Sequence, residues 1–253
     1  MNKDEKMKER NENTSLHSLT NEQILHNLSV FISKMDDLDE MRFPQKAYTI
    51  IKKAVRNLIL PPGKTFLERE VAETLEMSRT PVREALVRLE MEDALQIIPR
   101  RGFFIEPIEK NDLSDIYQMV AALDGLAIEL STDYMNDEEV SKLDALINSQ
   151  EEALEKEDFE EWAILDDEFH NTIIKFSKND NLNKVIENYT DKLYKARLYT
   201  INYRPSPAMS IVEHKAMVAC IRAKDKKAAK MVMESHRKRA QQEILNALDE
   251  INN

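Results

Sequence analysis

A chain of 253 residues is long enough for one small and one larger domain, each with its own hydrophobic core. With 42% hydrophobic and 33% charged residues and only three glycines, the composition favours long amphipathic helices over turn-rich β architecture; one cysteine, Cys220, excludes an intrachain disulfide, and no apolar run is long enough to span a membrane. The net charge of -11 would argue against a nucleic-acid partner if evenly spread, but residues 42–101 carry 12 Lys and Arg against 8 Asp and Glu, a basic module between two acidic stretches. A cytoplasmic protein with no membrane partner is expected.

Taken in chain order, residues 1–15 have too little to bury to offset the entropy of ordering and are expected to be disordered. Residues 20–35 place Ile24, Leu25, Leu28, Phe31, Ile32 and Met35 at helical spacing, with Thr20 or Asn21 as cap. This predicts a packing arm without chemistry of its own. A second helix over 45–60 runs through Ala47, Ile50, Ile51, Ala54, Val55, Leu58 and Ile59 into Pro61-Pro62-Gly63, which ends it. Residues 68–75 predict a short helix. Met77-Ser78-Arg79 then forms a turn before Thr80, the expected cap of a helix whose first position is Pro81. Two short helices joined in this way make a helix-turn-helix. Two β-prone runs, 95–99 and 103–107, flank Gly102 and predict a hairpin, the wing, with the glycine at its tip. From Lys110 the pattern is helical, with breaks near 132–136, 156–158, 178–181, 204–207 and 224–225, so six helices are expected.

The expected fold class is therefore mainly α. Residues 1–40 form an extension, 41–107 a winged helix-turn-helix with a small β-hairpin, and 108–253 an antiparallel all-helical bundle.

At the start of the recognition helix, Ser78 and Thr80 lie beside free backbone donors that suit a phosphate. Arg79 and Arg83 project from the same end and can reach guanine edges in the major groove. Arg100 and Arg101 suit phosphates, and Gly102 allows close backbone approach to the minor groove. Residues 66–90, continuing through Pro99-Arg100-Arg101-Gly102, closely resemble the DNA-binding signature of the GntR family, and the resemblance implies a DNA contact for Arg69 as well. Two positions depart from that pattern: Glu76 in the turn and Asp93 after the recognition helix stand where glycine is usual. An Asp tolerates a left-handed cap better than most residues.

Asp166 precedes His170 by four residues, which puts both on one helix face. His214 and His236 are 22 residues apart, about 33 Å along one straight helix, but their midpoint is Asp225 at an expected break, and an antiparallel hairpin there levels the two imidazoles. A similar count brings His170 within about one turn of His214. Three imidazoles and one carboxylate suit zinc or nickel better than calcium or magnesium. Asp167 points about 100° away around its helix and is expected at the surface.

Asp166-Asp-Glu-Phe-His170, Glu213-His214 and Ser235-His236, together with Asn181-Leu182 and Asp225, resemble the FCD domain of FadR-type GntR regulators. That resemblance implies a divalent metal at Asp166, His170, His214 and His236, zinc first and nickel or manganese next, with open positions facing a carboxylate ligand. Val120 stands where many relatives carry an effector-binding arginine. Arg197 and Arg204 are candidates to replace it, although the sequence does not place them in the cavity.

The expected function is a ligand-responsive transcription regulator, a homodimer binding two-fold operator DNA and repressing a metabolic operon, with a small metabolite, a carboxylate among the candidates, as effector. A metal-dependent hydrolase is the alternative, because a carboxylate and three histidines with an open position can activate water. A purely structural helical protein is a third reading.

Overall fold

The computed structural model describes residues 18–36, 38 and 40–252, so the stretch 1–15, expected to be disordered, lies outside the described residues. The chain divides into two compact units, Met1–Ile108 and Glu109–Asn253. No helix among the described residues is long and apolar enough to cross a membrane.

In the first unit, helix α1 (Asn21–Ser33) begins in a capping box. The Thr20 side chain accepts from the Gln23 backbone N–H, and the Gln23 Oε1 in turn accepts from the Thr20 backbone N–H. Its Ile24 and Leu28 are fully buried in the core of this unit, and burial of such a side chain stabilises by about 1.5–3 kcal/mol. Asn21 Nδ2 also donates to the Thr65 carbonyl at 2.8 Å. Helix α2 (Phe43–Arg56) carries the expected apolar face but stops at Arg56, four residues short of expectation. Leu58 sits at φ 59° and the Leu60 N–H returns to the Ala54 carbonyl, so the apolar residues that extended the period belong to a turn.

Next come β1 (Thr65–Phe66), α3 (Glu68–Thr74), α4 (Arg79–Met91), β2 (Leu95–Ile98) and β3 (Gly102–Ile105). The sheet is antiparallel in the order β1-β3-β2, with Leu95 opposite Ile105 and Ile98 opposite Gly102. The short β1 was not expected: two residues carry no readable period. The cap of α4 also differs from expectation. Ser78 is the N-cap, and Thr80 and Pro81 lie inside the first turn, where a missing N–H costs nothing because that donor has no intrahelical partner.

Gly102 is not at the exposed tip, which is formed by Pro99, Arg100 and Arg101. It is buried at φ 98°, and a Cβ there would lie 1.9 Å from the Phe66 carbonyl oxygen. Close approach to β1, not to the solvent-facing turn, is what requires glycine.

The scarcity of glycine shows in how helices end. Glu76, Asp93, Glu157 and Lys224 occupy left-handed positions with φ between 53° and 57°. At each, the following N–H returns five residues, as Met77 to Ala72 and Ala94 to Leu89, which is the Schellman closure usually given to glycine.

The second unit contains six helices among its described residues: α5 (Lys110–Tyr134), α6 (Asp137–Glu155), α7 (Phe159–Phe176), α8 (Asp180–Thr200), α9 (Ala208–Arg222) and α10 (Lys226–Asn252), with a short 3-10 turn, Ile201–Tyr203, after α8. All five expected breaks coincide with observed connections. Local signals explain this: Asn136, Asp158 and Asn179 side chains cap α6, α7 and α8. Helices α5 and α10 are joined by a buried ion pair in which Arg237 Nε donates to Asp124 Oδ2 at 2.6 Å.

Candidate functional site

The helix-turn-helix presents its charges because its apolar residues point the other way. Pro81, Val82, Ala85, Leu86 and Leu89 anchor α4 in the core, which leaves Arg79, Thr80 and Arg83 outward. Arg79 and Arg83 are about two-thirds exposed, and Ser78 precedes them, also exposed. Arg69 on α3 is equally exposed and pairs loosely with Glu73 at 3.6 Å. A cleft of roughly 540 Å3 lies between these helices and the wing, and Arg69, Arg79, Arg83 and Arg100 all line it. Arg101 is exposed at the wing tip, whereas Gly102 is buried at the foot of β3. One residue that the sequence did not single out, Glu68, sits between Arg79 and Arg83, at 3.5 and 3.9 Å.

In the helical unit the three histidines converge. His170 from α7, His214 from α9 and His236 from α10 are buried and offer ring nitrogens that all lie within 4.8 Å of one another. His170 Nε2 faces His236 Nε2 at 3.2 Å. Asp166, one turn before His170, reaches two of the rings, with Oδ1 3.6 Å from His214 Nε2 and Oδ2 3.9 Å from His170 Nε2.

Each ring is set by its surroundings. His214 Nδ1 lies 2.9 Å from Gln150 Oε1 on α6, and His236 Nδ1 lies 2.7 Å from Glu213 Oε2. Both partners accept from an Nδ1–H, which leaves Nε2 of each ring as a lone pair directed into the cluster. His214 Nε2 is buried and has no hydrogen-bond partner. Glu213 is in turn held by Arg239, whose Nη2 donates at 2.6 Å.

Burial lowers the pKa of all three rings, that of His214 to about 3, with nearby Arg237 adding to the effect. Burial opposes ionisation of Asp166, but Arg197 and then His214 outweigh it and hold its carboxyl below the usual range. The chemistry of the donor set therefore fits a divalent cation: neutral imidazoles, an ionised carboxylate, and an orphaned buried nitrogen aimed at the others.

One expectation is corrected here. Asp167 is buried, not a surface charge: Asn171 Nδ2 donates to it at 3.0 Å and Arg197 Nη1 lies 3.8 Å away. Arg197, which the sequence could not place, is buried with Nη1 3.1 Å from Asp166 Oδ2. Arg204 is buried as well, its nearest carboxylate being Glu243 at 3.9 Å and its Nε without a partner. Gln150 was not found from sequence, because an isolated glutamine on an amphipathic helix carries no signal of what it will face. Val120 lies on α5 and is fully buried.

Comparison with known proteins agrees with this arrangement. Residues 44–105 match the model described as bacterial regulatory proteins, gntR family, and residues 115–239 match the FCD domain. The HTH-type transcriptional regulator YdhC of Bacillus subtilis strain 168 is 30% identical over 192 residues, covering 75% of this chain and 85% of its own. The HTH-type transcriptional repressor RspR of Escherichia coli K12 is 22% identical over 192 residues, covering 76% of this chain and 84% of its own. Among solved structures, E. coli McbR/YncC superposes with a TM-score of 0.70 at 25% identity, over 79% of this chain and 95% of that one.

FCD domains often bind a metal, in keeping with the three-histidine cluster. These relatives are transcription regulators and not enzymes, and the metal-dependent hydrolase finds no support among them. The chain belongs to the GntR family of bacterial regulators, with a winged helix-turn-helix that binds DNA and an FCD domain that receives a small-molecule effector.

Proposed function

We propose that this protein is a cytoplasmic, homodimeric repressor of the FadR subfamily, acting on a metabolic operon. Residues 41–107 read the operator and residues 108–253 bind metal and effector and dimerise, while 1–40 extend the DNA-binding unit. Two copies suit a two-fold operator, one recognition helix to each half-site. Repression is favoured because the relative RspR is a named repressor. In the DNA-binding unit Arg79 and Arg83 read bases, Ser78, Thr80, Arg100 and Arg101 hold phosphates, Arg69 adds a contact, and Gly102 sets the wing.

The observation that carries the sensory half of this reading is the orphaned Nε2 of His214, pointing at two further imidazoles inside a buried cluster. Asp166, His170, His214 and His236 would hold the ion, zinc before nickel or manganese given the nitrogen-rich set. When bound, the metal supplies open positions for an oxygen donor such as a carboxylate. Glu213 and Gln150 orient the rings, and Arg197 and Arg204 contribute the positive charge that Val120 does not. Effector binding then shifts the dimer between arrangements that do or do not space the recognition helices for the operator.

Metal analysis of the purified protein, with mass detection of retained small molecules, tests the sensory half. Footprinting on its own upstream region, with and without the recovered molecule, tests the regulatory half. A metal-free, ligand-free preparation whose DNA binding no metabolite alters would overturn the sensory reading.

A further inference from the structure

Glu68 is the first residue of α3, and its carboxylate reaches across to the start of α4. The side chain is only 11% exposed, and Oε2 is wholly buried without a hydrogen-bond partner. Its neighbours are the two guanidinium groups, Arg79 Nη2 at 3.5 Å and Arg83 Nη1 at 3.9 Å. Buried oxygens without a hydrogen bond are rare, and each asks for a reason.

We propose that Glu68 is a positioning residue for DNA recognition: its carboxylate bridges Arg79 and Arg83 and so sets how sharply the protein distinguishes its operator from other DNA. This rests on the reading of those two arginines as base readers. A surface built only to neutralise phosphates would be better without an acid in its midst, since non-specific affinity grows with each phosphate neutralised. Base readout has a different requirement, because a bidentate contact to a guanine edge demands a guanidinium fork in one orientation.

Arg79 and Arg83 are one helical turn apart on the same face of α4 and repel each other. A shared carboxylate between them relieves that repulsion, holds one edge of each fork and leaves the remaining N–H groups outward. The same negative charge weakens the attraction of both arginines for any phosphate. It therefore acts against all DNA equally through charge, while its benefit in orientation is realised only on a matching sequence.

The test uses the full chain. A duplex recovered by the wild type from a randomised library serves as specific probe and an alternating dA-dT duplex, which lacks the O6/N7 acceptor pair of guanine, as non-specific probe, with binding followed by fluorescence anisotropy over a series of salt concentrations and the affinities compared at one of them. Glu68→Gln keeps the shape and removes the charge. It is expected to tighten the dA-dT complex several-fold and to weaken the selected one, so that the ratio of affinities falls about tenfold or more. The salt slope on dA-dT steepens by up to about 0.9. Glu68→Asp, which retains charge on a shorter arm, is expected to lose less of the ratio than Glu68→Gln.

Thermal melts separate a structural role, which would lower stability without moving the ratio. An unchanged ratio in Glu68→Gln, with a consensus still recovered by the wild type, overturns the role of Glu68 alone. Failure of the wild type to recover any consensus overturns the base-reading assignment of Arg79 and Arg83, and this inference with it.

Discussion

The Nε2 atoms of His170 and His236 meet at 3.2 Å, while the far side of the His236 ring, Nδ1, donates to Glu213 at 2.7 Å. That carboxylate assigns the proton of His236 to Nδ1, so its Nε2 presents a lone pair to His170. Two neutral rings opposed in this way can share one proton or one cation, and the adjacent His214 Nε2 offers a third lone pair to the same point.

A divalent metal should therefore stabilise the protein strongly. At a free concentration of about 100 times Kd, the linkage gain is about 2.7 kcal/mol, which corresponds to a rise in Tm of roughly 5–10 °C for a domain of this size. Differential scanning fluorimetry with zinc and with a chelator measures it. His214→Ala should lose the shift, and a shift of equal size in that variant would remove His214 from the ligand set.

The metal-free protein should lose stability on acidification. Burial depresses the folded pKa of each imidazole below 6.5, that of His214 to about 3. Below pH 6.5 the unfolded chain takes up protons that the folded rings refuse, so stability falls as pH drops through that value. For His214 the fall continues to about pH 3. Each ring contributes up to about 1.4 kcal/mol per pH unit in its window. Urea midpoints at pH 7.5 and 5.5 read the slope, and His214→Asn should make it shallower. Equal midpoints for the wild type would contradict the neutral, buried state of these rings.

Arg83→Ala and Arg101→Ala should behave differently. The first removes a base reader and is expected to cost about 1–3 kcal/mol on the operator while relaxing preference at one base pair. The second removes a phosphate contact at the wing tip. It should weaken binding evenly across sequences and reduce the salt slope by about 1. Selection from a random library by each variant, together with salt titrations, separates the two outcomes.

Backbone conformation supplies a stability test in two directions. Glu76 holds a left-handed position at φ 54°, so Glu76→Gly should stabilise the first unit by about 1 kcal/mol. Gly102→Ala should do the reverse and by more, because its Cβ would meet the Phe66 carbonyl and rigid backbone cannot yield as a side chain can. Chemical denaturation of the two variants gives both signs. A neutral Gly102→Ala would mean that β1 does not press on β3 in solution.

The sequence by itself determined where helices begin and end in the larger unit, because caps and breaks are local: Asn136, Asp158 and Asn179 act on residues three positions away. It also determined the helix-turn-helix and wing, where apolar periodicity orients α4, and it selected the four candidate metal ligands by their heights along successive helices. Only the tertiary structure decided the rest. Gly102 lies against Phe66, Asp167 is buried, Arg197 reaches Asp166, Gln150 orients His214, and Glu68 bridges Arg79 and Arg83. Periodicity tells which way a side chain points from its own helix, but each of these relations depends on what another segment brings to meet it.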